Sequence, residues 1–359
     1  MGELIAGRVE LLDPLGRGAA GAVWRAVDRR RGGICAAKVM RQRDSADIIR
    51  FLREQSAGAR HRGGIGAHRH LLTPYAWVAD EDDVVLLMPL ARGGTLAEAL
   101  GDHGALAPAL VAELLRQLLD GLAAVHAAGW VHRDVTPANL MLEATGTARP
   151  HLRLADFGIA LRLGEPRMTA LGHVPGTPGF IAPEILRGGP VSTAQDVWAA
   201  GAVALTALDP LLELTGTAAD ERARPAGEAL DRLLPERGEP RADALREALL
   251  RMLDADPEAR PGAAEAREAL PAPAGPAGDW ALTAEGEVFE VFDQIESWSD
   301  ESSGPEPARP AGAPVSAPVS SSALAPNPAS APNPVPAQKP APAPRRSPAG
   351  RRPPTAALP

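Results

Sequence analysis

Two lysines are all this 359-residue chain keeps among its 37 basic residues, and one of them, Lys38, stands where a phosphate would need it. It closes the apolar run Cys35-Ala36-Ala37-Lys38. A compact ammonium on a flexible stem fits between phosphates and a carboxylate as a point charge, which a planar guanidinium cannot do. Upstream, Gly16-Arg17-Gly18-Ala19-Ala20-Gly21-Ala22-Val23 has the spacing G-x-G-x-x-G-x-V. Glycines at 16, 18 and 21 let the backbone turn tightly and approach a triphosphate with no Cβ in the way. Alone, this spacing suits a plain hairpin equally well. Downstream, Val131 to Leu140 carries Asp134, able to accept a hydroxyl proton, and Asn139, able to reach a metal from the same loop. Asp156-Phe157-Gly158 adds a second carboxylate for Mg²⁺. A capping aspartate and an ordinary turn would explain either piece alone, but not their order and spacing together.

These groups need elements to hold them. Val9-Glu10-Leu11-Leu12 and Ala22 to Val27 read as strands flanking the glycines, and Ile34 to Met40 as a third. A strand rather than a helix after the glycines argues against a dinucleotide-binding fold and for a loop folded over nucleotide phosphates. Ala46 to Ala59 has helical apolar spacing at Ile48, Ile49 and Leu52. Tyr75 to Val78 and Val84 to Met88 form a strand pair around the acidic turn Asp80 to Asp83. Beyond Gly94 the pattern is helical over Pro108–Ala128, Val197–Leu208, Ala242–Leu253 and Gly262–Leu270. An α+β arrangement follows: a strand-rich small lobe over 1–90 and a helical large lobe over 91–270.

Composition narrows the function. A net charge of -8 disfavours general binding to nucleic acid or anionic membranes. The single cysteine, Cys35, excludes an intramolecular disulfide framework and fits a reducing compartment. Met1 to Asp13 lacks a signal-peptide pattern, and the apolar stretch Val197 to Leu208 is too short to span a bilayer. A soluble, cytoplasmic protein is expected. Near Pro271 the composition changes. Residues 271–304 read as a linker with an acidic, aromatic island (Trp280, Phe289, Phe292, Trp298), and 305–359 as a disordered Pro/Ala/Ser-rich tail.

With these pieces in order, the chain resembles a bacterial eukaryotic-type (Hanks-type) serine/threonine protein kinase. The match rests on the glycine loop, Lys38, His132-Arg133-Asp134, Asn139, Asp156-Phe157-Gly158, Ala182-Pro183-Glu184, Asp196 to Gly201 and Asp256 to Pro261. The resemblance implies a bilobal kinase fold, ATP with Mg²⁺ (or Mn²⁺), and protein substrates. Lys38 would bind the α/β-phosphates and pair with Glu54, with Asp47 as the poorer alternative. Asp134 would orient and deprotonate the substrate hydroxyl, Asn139 and Asp156 would hold metal, and Glu184 would pair with Arg260. Met88 resembles the gatekeeper and Pro89-Leu90-Ala91 the hinge. There Pro89 would offer only a carbonyl and Ala91 the N–H, while Val23, Ala36 and Met141 would sandwich the adenine, or simply pack as core. Thr169 is the expected autophosphorylation site, with Arg133 placed to receive its phosphate. Thr177, in Gly176-Thr177-Pro178-Gly179-Phe180, resembles the substrate-facing loop of serine/threonine rather than tyrosine kinases. That loop and Ala182-Pro183-Glu184 disfavour a small-molecule phosphotransferase.

The sequence also departs from the family. Thr136 replaces a lysine that would touch the γ-phosphate, so the chain reads either as a slower, tuned kinase or as a nucleotide-binding pseudokinase acting as a scaffold. Gly58 stands where a bulky residue would pack against Phe157, implying either a loosely held helix or a shift caused by the loop Arg62 to Gly66. Phe289-Glu290-Val291-Phe292-Asp293 has the F-x-x-F spacing of segments that dock on the small lobe. A hairpin from Trp280 to Phe292, turning at Glu285-Gly286-Glu287, is the alternative. Lys339 to Arg346 could engage a partner domain that reads polyproline II, or serve as an inert spacer, and Ser347 is a weak phosphosite candidate.

Overall fold

The computed structural model describes residues 3–18, 21–41, 65, 68–80, 83–157, 160–162, 176–212, 227–234 and 240–295. The helix expected over Ala46 to Ala59, with Asp47, Glu54 and Gly58, lies outside them. So do Arg62 to Gly64, Gly158, Thr169, Trp298 and the stretch 305–359 with Lys339 and Ser347.

The small lobe is one antiparallel sheet in the order β1-β2-β3-β4-β6-β5. Its strands are β1 (Leu4–Ile5), β2 (Val9–Gly18), β3 (Gly21–Asp28), β4 (Gly33–Arg41), β5 (Ala76–Asp80) and β6 (Asp83–Met88). Strand β2 runs further than its apolar stretch foretells, carrying pairing through Gly16↔Val23 to Gly18↔Gly21 across two register shifts. Such bulges strengthen twist and re-aim a strand, here at the glycine turn. A core of Ile5, Val9, Leu11, Ala26, Cys35, Ala37, Val85 and Leu87 fills one face of the sheet. Asp28, fully buried, accepts both Arg8 Nε and a second Arg8 nitrogen at 2.9 and 2.8 Å, which explains how a charge survives there.

The helical lobe follows. Its helices are α1 (Leu96–His103), α2 (Pro108–Ala127), α3 (Pro183–Leu186), α4 (Ala194–Leu208), α5 (Pro240–Met252) and α6 (Ala263–Ala269), with residues 227–233 also helical. Between them lie the short strands β7 (Trp130–Val131), β8 (Leu140–Leu142), β9 (Leu152–Leu154) and β10 (Leu161–Arg162). They pair antiparallel as β7–β10 and β8–β9. Helix α4 buries 13 of its 15 residues, so it is the axis of the lobe rather than a surface helix. Its run of Ala and Gly lets α2 and α5 close around it, with Trp198 fully buried. The ion pair Glu184–Arg260, bidentate at 2.8 Å on both oxygens and nearly sealed from solvent, ties α3 to the loop before α6. No helix among the described residues is long and apolar enough to cross a membrane.

Residues 281–289 form a hairpin, within the span Trp280 to Phe292 read for it from the sequence. Thr283 N–H donates to Glu287 O at 2.8 Å and Phe289 N–H to Ala281 O at 2.8 Å, around Gly286 with φ +89°. The docking expected from the F-x-x-F spacing is corrected: the hairpin sits on the helical lobe, not the small one. Phe289 is fully buried beside the His103 ring, 4.9 Å between centroids, whereas Phe292 is 59% exposed. In extended chain, residues three apart face opposite sides, so one groove cannot take both rings.

Candidate active site

Strand register gathers the upper half of the site. Val23 pairs with Lys38, Lys38 with Leu86, and Ala36 with Met88. Because side chains alternate along a strand, Val23, Ala36, Lys38 and Met88 all lie on one face of the sheet. At the turn above them, Gly21 adopts φ +132°, and a Cβ there would overlap the Val39 carbonyl oxygen. No other residue fits at Gly21. The loop tip, residues 19 and 20, lies outside the described residues. After β6 the chain leaves through Pro89. Ala91 packs with Leu72 and Ala155, and Met141 of β8 rests against that cluster from below.

The lower half is the loop 132–139. Its conformation is held from beneath by Asp196, at the start of α4. The Asp196 carboxylate accepts the backbone N–H of His132 and of Arg133, both at 2.8 Å, and contacts His126 Nε2 at 2.8 Å. Burial works to raise this carboxyl, but the hydrogen bond and charge of His126, the nearby His132 and the Arg133 N–H hold it below the ordinary range. Arg133 takes φ +73°, strain that these bonds over-determine. The His132 ring, fully buried, meets Ala155 O at 3.0 Å through Nε2 and turns its edge to Phe157. Burial pushes its pKa down despite the neighbouring carboxylates.

Asp134 sits where this loop opens. Asn139 Nδ2 donates to Asp134 O and to Asp134 Oδ2, each at 2.8 Å. Thr177 Oγ1 donates to the other carboxylate oxygen at 2.9 Å. Opposite, Asp156 stands at φ +59°, and its Oδ2 accepts Lys38 Nζ at 2.6 Å. Thus Lys38 meets Asp156 across 118 positions of sequence, and Asn139 meets Asp134 within one loop. Among the described residues, no group of three or more His, Cys, Asp or Glu side chains could hold a metal by itself. Asn139 turns its amide nitrogen to Asp134, which aims its carbonyl oxygen elsewhere. That oxygen and the Asp156 carboxylate are hard oxygen donors, the kind that Mg²⁺ takes.

The structure therefore brings Lys38 to Asp156, Asn139 to Asp134, and Ala91 to Met141. Glu54, the expected partner of Lys38, lies outside the described residues. Arg133 lines a small cavity with Phe180, Ile181 and Asp196, and Thr136 is buried. Sequence reasoning gave no role to Asp196 or His126. A lone aspartate opening the apolar stretch Asp196-Val197-Trp198-Ala199-Ala200 was the available signal, because a charge buried there requires donors.

The sequence pattern of the protein kinase domain matches residues 9–270. The chain is 38% identical over 205 residues to the serine/threonine-protein kinase PkaA of Streptomyces coelicolor, covering 53% of this chain and 37% of the relative. PkaB of the same organism is 36% identical over 210 residues, 56% of this chain and 49% of the relative. PknL of Mycobacterium tuberculosis is 35% identical over 205 residues, with the same coverage as PkaB. The chain spans half or less of the length of these curated relatives.

Proposed function

The chain belongs to the protein kinase domain family, and on that premise we propose that it transfers the γ-phosphoryl group of ATP to serine or threonine hydroxyls of proteins, including its own Thr169. One observation carries the reading: a threonine hydroxyl already donates to Asp134 at 2.9 Å, within the reach a general base needs. A substrate hydroxyl taking that place gives its proton to Asp134 as it attacks. Asn139, bonded to the second carboxylate oxygen, fixes the orientation of Asp134. Lys38 binds the α/β-phosphates, held forward by Asp156 across the cleft. When bound, Mg²⁺ or Mn²⁺ neutralises charge on the phosphate oxygens, and Asn139 and Asp156 are the residues that would hold it. The face formed by Val23, Ala36 and Met88, with Ala91 and Met141 opposite, takes the adenine, and Gly16, Gly18 and Gly21 cover the phosphates. Catalysis here is mainly positioning and charge stabilisation, so these few groups carry most of it.

The test is transfer of label from ATP to a generic protein substrate and to the chain itself, beside Lys38→Met and Asp134→Asn. Label on the wild type alone supports the kinase. Nucleotide binding with no transfer in any form would instead support a scaffold. Phosphopeptide mapping should find Thr169 modified in the active protein, and a fully active protein with no phosphate at Thr169 removes that part of the reading.

A further inference from the structure

Past the matched kinase residues 9–270, the chain returns to the segment that joins the two lobes. Arg92, the residue after Ala91, is gripped on both sides of its Cα. Its carbonyl accepts the Gln294 N–H at 2.8 Å. Its guanidinium holds the Asp293 carboxylate at 2.7 and 3.1 Å and donates to Ile295 O at 3.2 Å. Next in sequence are Gly93 and Gly94, the latter at φ +73°. Two glycines in a row give a hinge wide conformational freedom. Here that freedom is removed: Gly93 N–H donates to Leu142 O, Leu142 N–H to Gly94 O, and Gly146 exchanges both backbone bonds with Val291 at 3.0 Å. The glycines themselves are shaped to the returning segment. A Cβ on Gly93 would overlap the Val291 side chain, and one on Gly94 the Gln294 side chain. Lobe linker and C-terminal segment are thus complementary in volume as well as in hydrogen bonding. On the far side, Phe289 and Trp280 sink into the helical lobe, and His103 Nε2 meets Glu290 O at 2.9 Å, so the segment is anchored independently of the linker.

We propose that residues 277–295 form a built-in clamp that holds the linker in its nucleotide-binding shape, with Val291, Asp293 and Gln294 as positioning residues for ATP. The proposal rests on the kinase reading, because it takes Ala91 as the adenine-facing residue. Gln294 fixes the Arg92–Gly93 peptide plane, one residue beyond Ala91. Releasing it lets the Gly93-Gly94 linker spread over shapes that do not present the Ala91 N–H, and affinity falls by the fraction of time spent in them.

The test uses the full chain. Gln294→Pro deletes the N–H that reaches Arg92 O, and Val291→Asp puts a carboxylate into a buried contact with Gly93. ADP affinity by titration calorimetry and the separate KM and kcat for ATP are the readouts, with hydrogen exchange of residues 288–295 reporting release. The expected result is an ADP Kd and an ATP KM raised roughly 3- to 10-fold with kcat changed less than either. Arg92→Asp or Asp293→Arg alone should raise KM, and the double exchange should restore it. A purely structural role would lower the melting temperature and leave nucleotide affinity alone. An ADP Kd within about twofold of wild type in both Gln294→Pro and Val291→Asp overturns the clamp. A wild type that fails to bind ADP defeats the kinase reading itself, a separate outcome.

Discussion

The loop 132–139 and the linker 89–94 are secured in opposite ways. The loop hangs from Asp196, a carboxylate sealed inside the helical lobe that satisfies two backbone N–H groups and His126. The linker is secured from outside, by an ion pair whose two side chains are each 44% exposed and by backbone bonds to a segment beyond the matched domain. A buried anchor is costly to remove because its partners are left unsatisfied in low dielectric. A solvated one is worth little by itself and can be let go. The shape of the loop is therefore permanent, whereas the shape of the linker can be set.

Replacing Asp196 by Ala should break this contrast most severely. Two buried N–H groups and His126 lose their acceptor, costing about 3–5 kcal/mol in a urea melt and abolishing measurable phosphotransfer. An Asp196→Ala protein as stable as wild type would mean the loop is held by something else. Next in size is Phe289→Ala, which empties a fully buried ring site under the hairpin and should cost about 3–5 kcal/mol, at the low end if the hairpin collapses inward. Unlike Asp196→Ala, it should leave kcat largely intact where the protein stays folded, which separates outer support from inner.

Acid sharpens the comparison further. Burial pushes the His70 pKa down to about 4, the ring meeting Leu152 O at 2.8 Å. Between pH 6.5 and 4 the unfolded chain binds a proton there that the folded chain does not, so stability is full above pH 6.5 and drains as pH falls towards 4. At pH 5 the loss attributable to His70 should be about 2 kcal/mol, and His70→Asn should flatten the melting curve over that window. The depressed Asp196 carboxyl acts lower, its contribution lost only as pH falls from the ordinary carboxylate range through its folded pKa. The smallest effect belongs to Arg92→Ala, under about 1 kcal/mol of global stability, with its consequence read in ATP KM instead.

Much of this was legible in the residues because the relevant signals are local. Strand alternation placed β3, β4 and β6, helical spacing placed α2 and α4, and Lys38, Asp134, Asn139 and Asp156 were singled out as the candidate site. Helix α1 escaped notice although it announces itself: Thr95 accepts from Glu98 N–H at 3.1 Å and Glu98 returns the bond to Thr95 N–H at 2.7 Å, a full capping box. It is only eight residues long, and apolar periodicity is weak over two turns. The return of 291–295 to Arg92 was invisible for another reason. It is made mostly of backbone bonds and of space beside two glycines, neither of which leaves a side-chain pattern to read.

Lys38 leaves one practical consequence. In this sequence a lysine-specific protease meets only two targets, and cutting after Lys339 would remove just residues 340–359. The other bond, Lys38–Val39, lies in β4, hydrogen-bonded to a neighbour on either edge. Scission there, read on a gel, would thus time the unzipping of the central sheet, and any nucleotide that bridges the lobes should delay it.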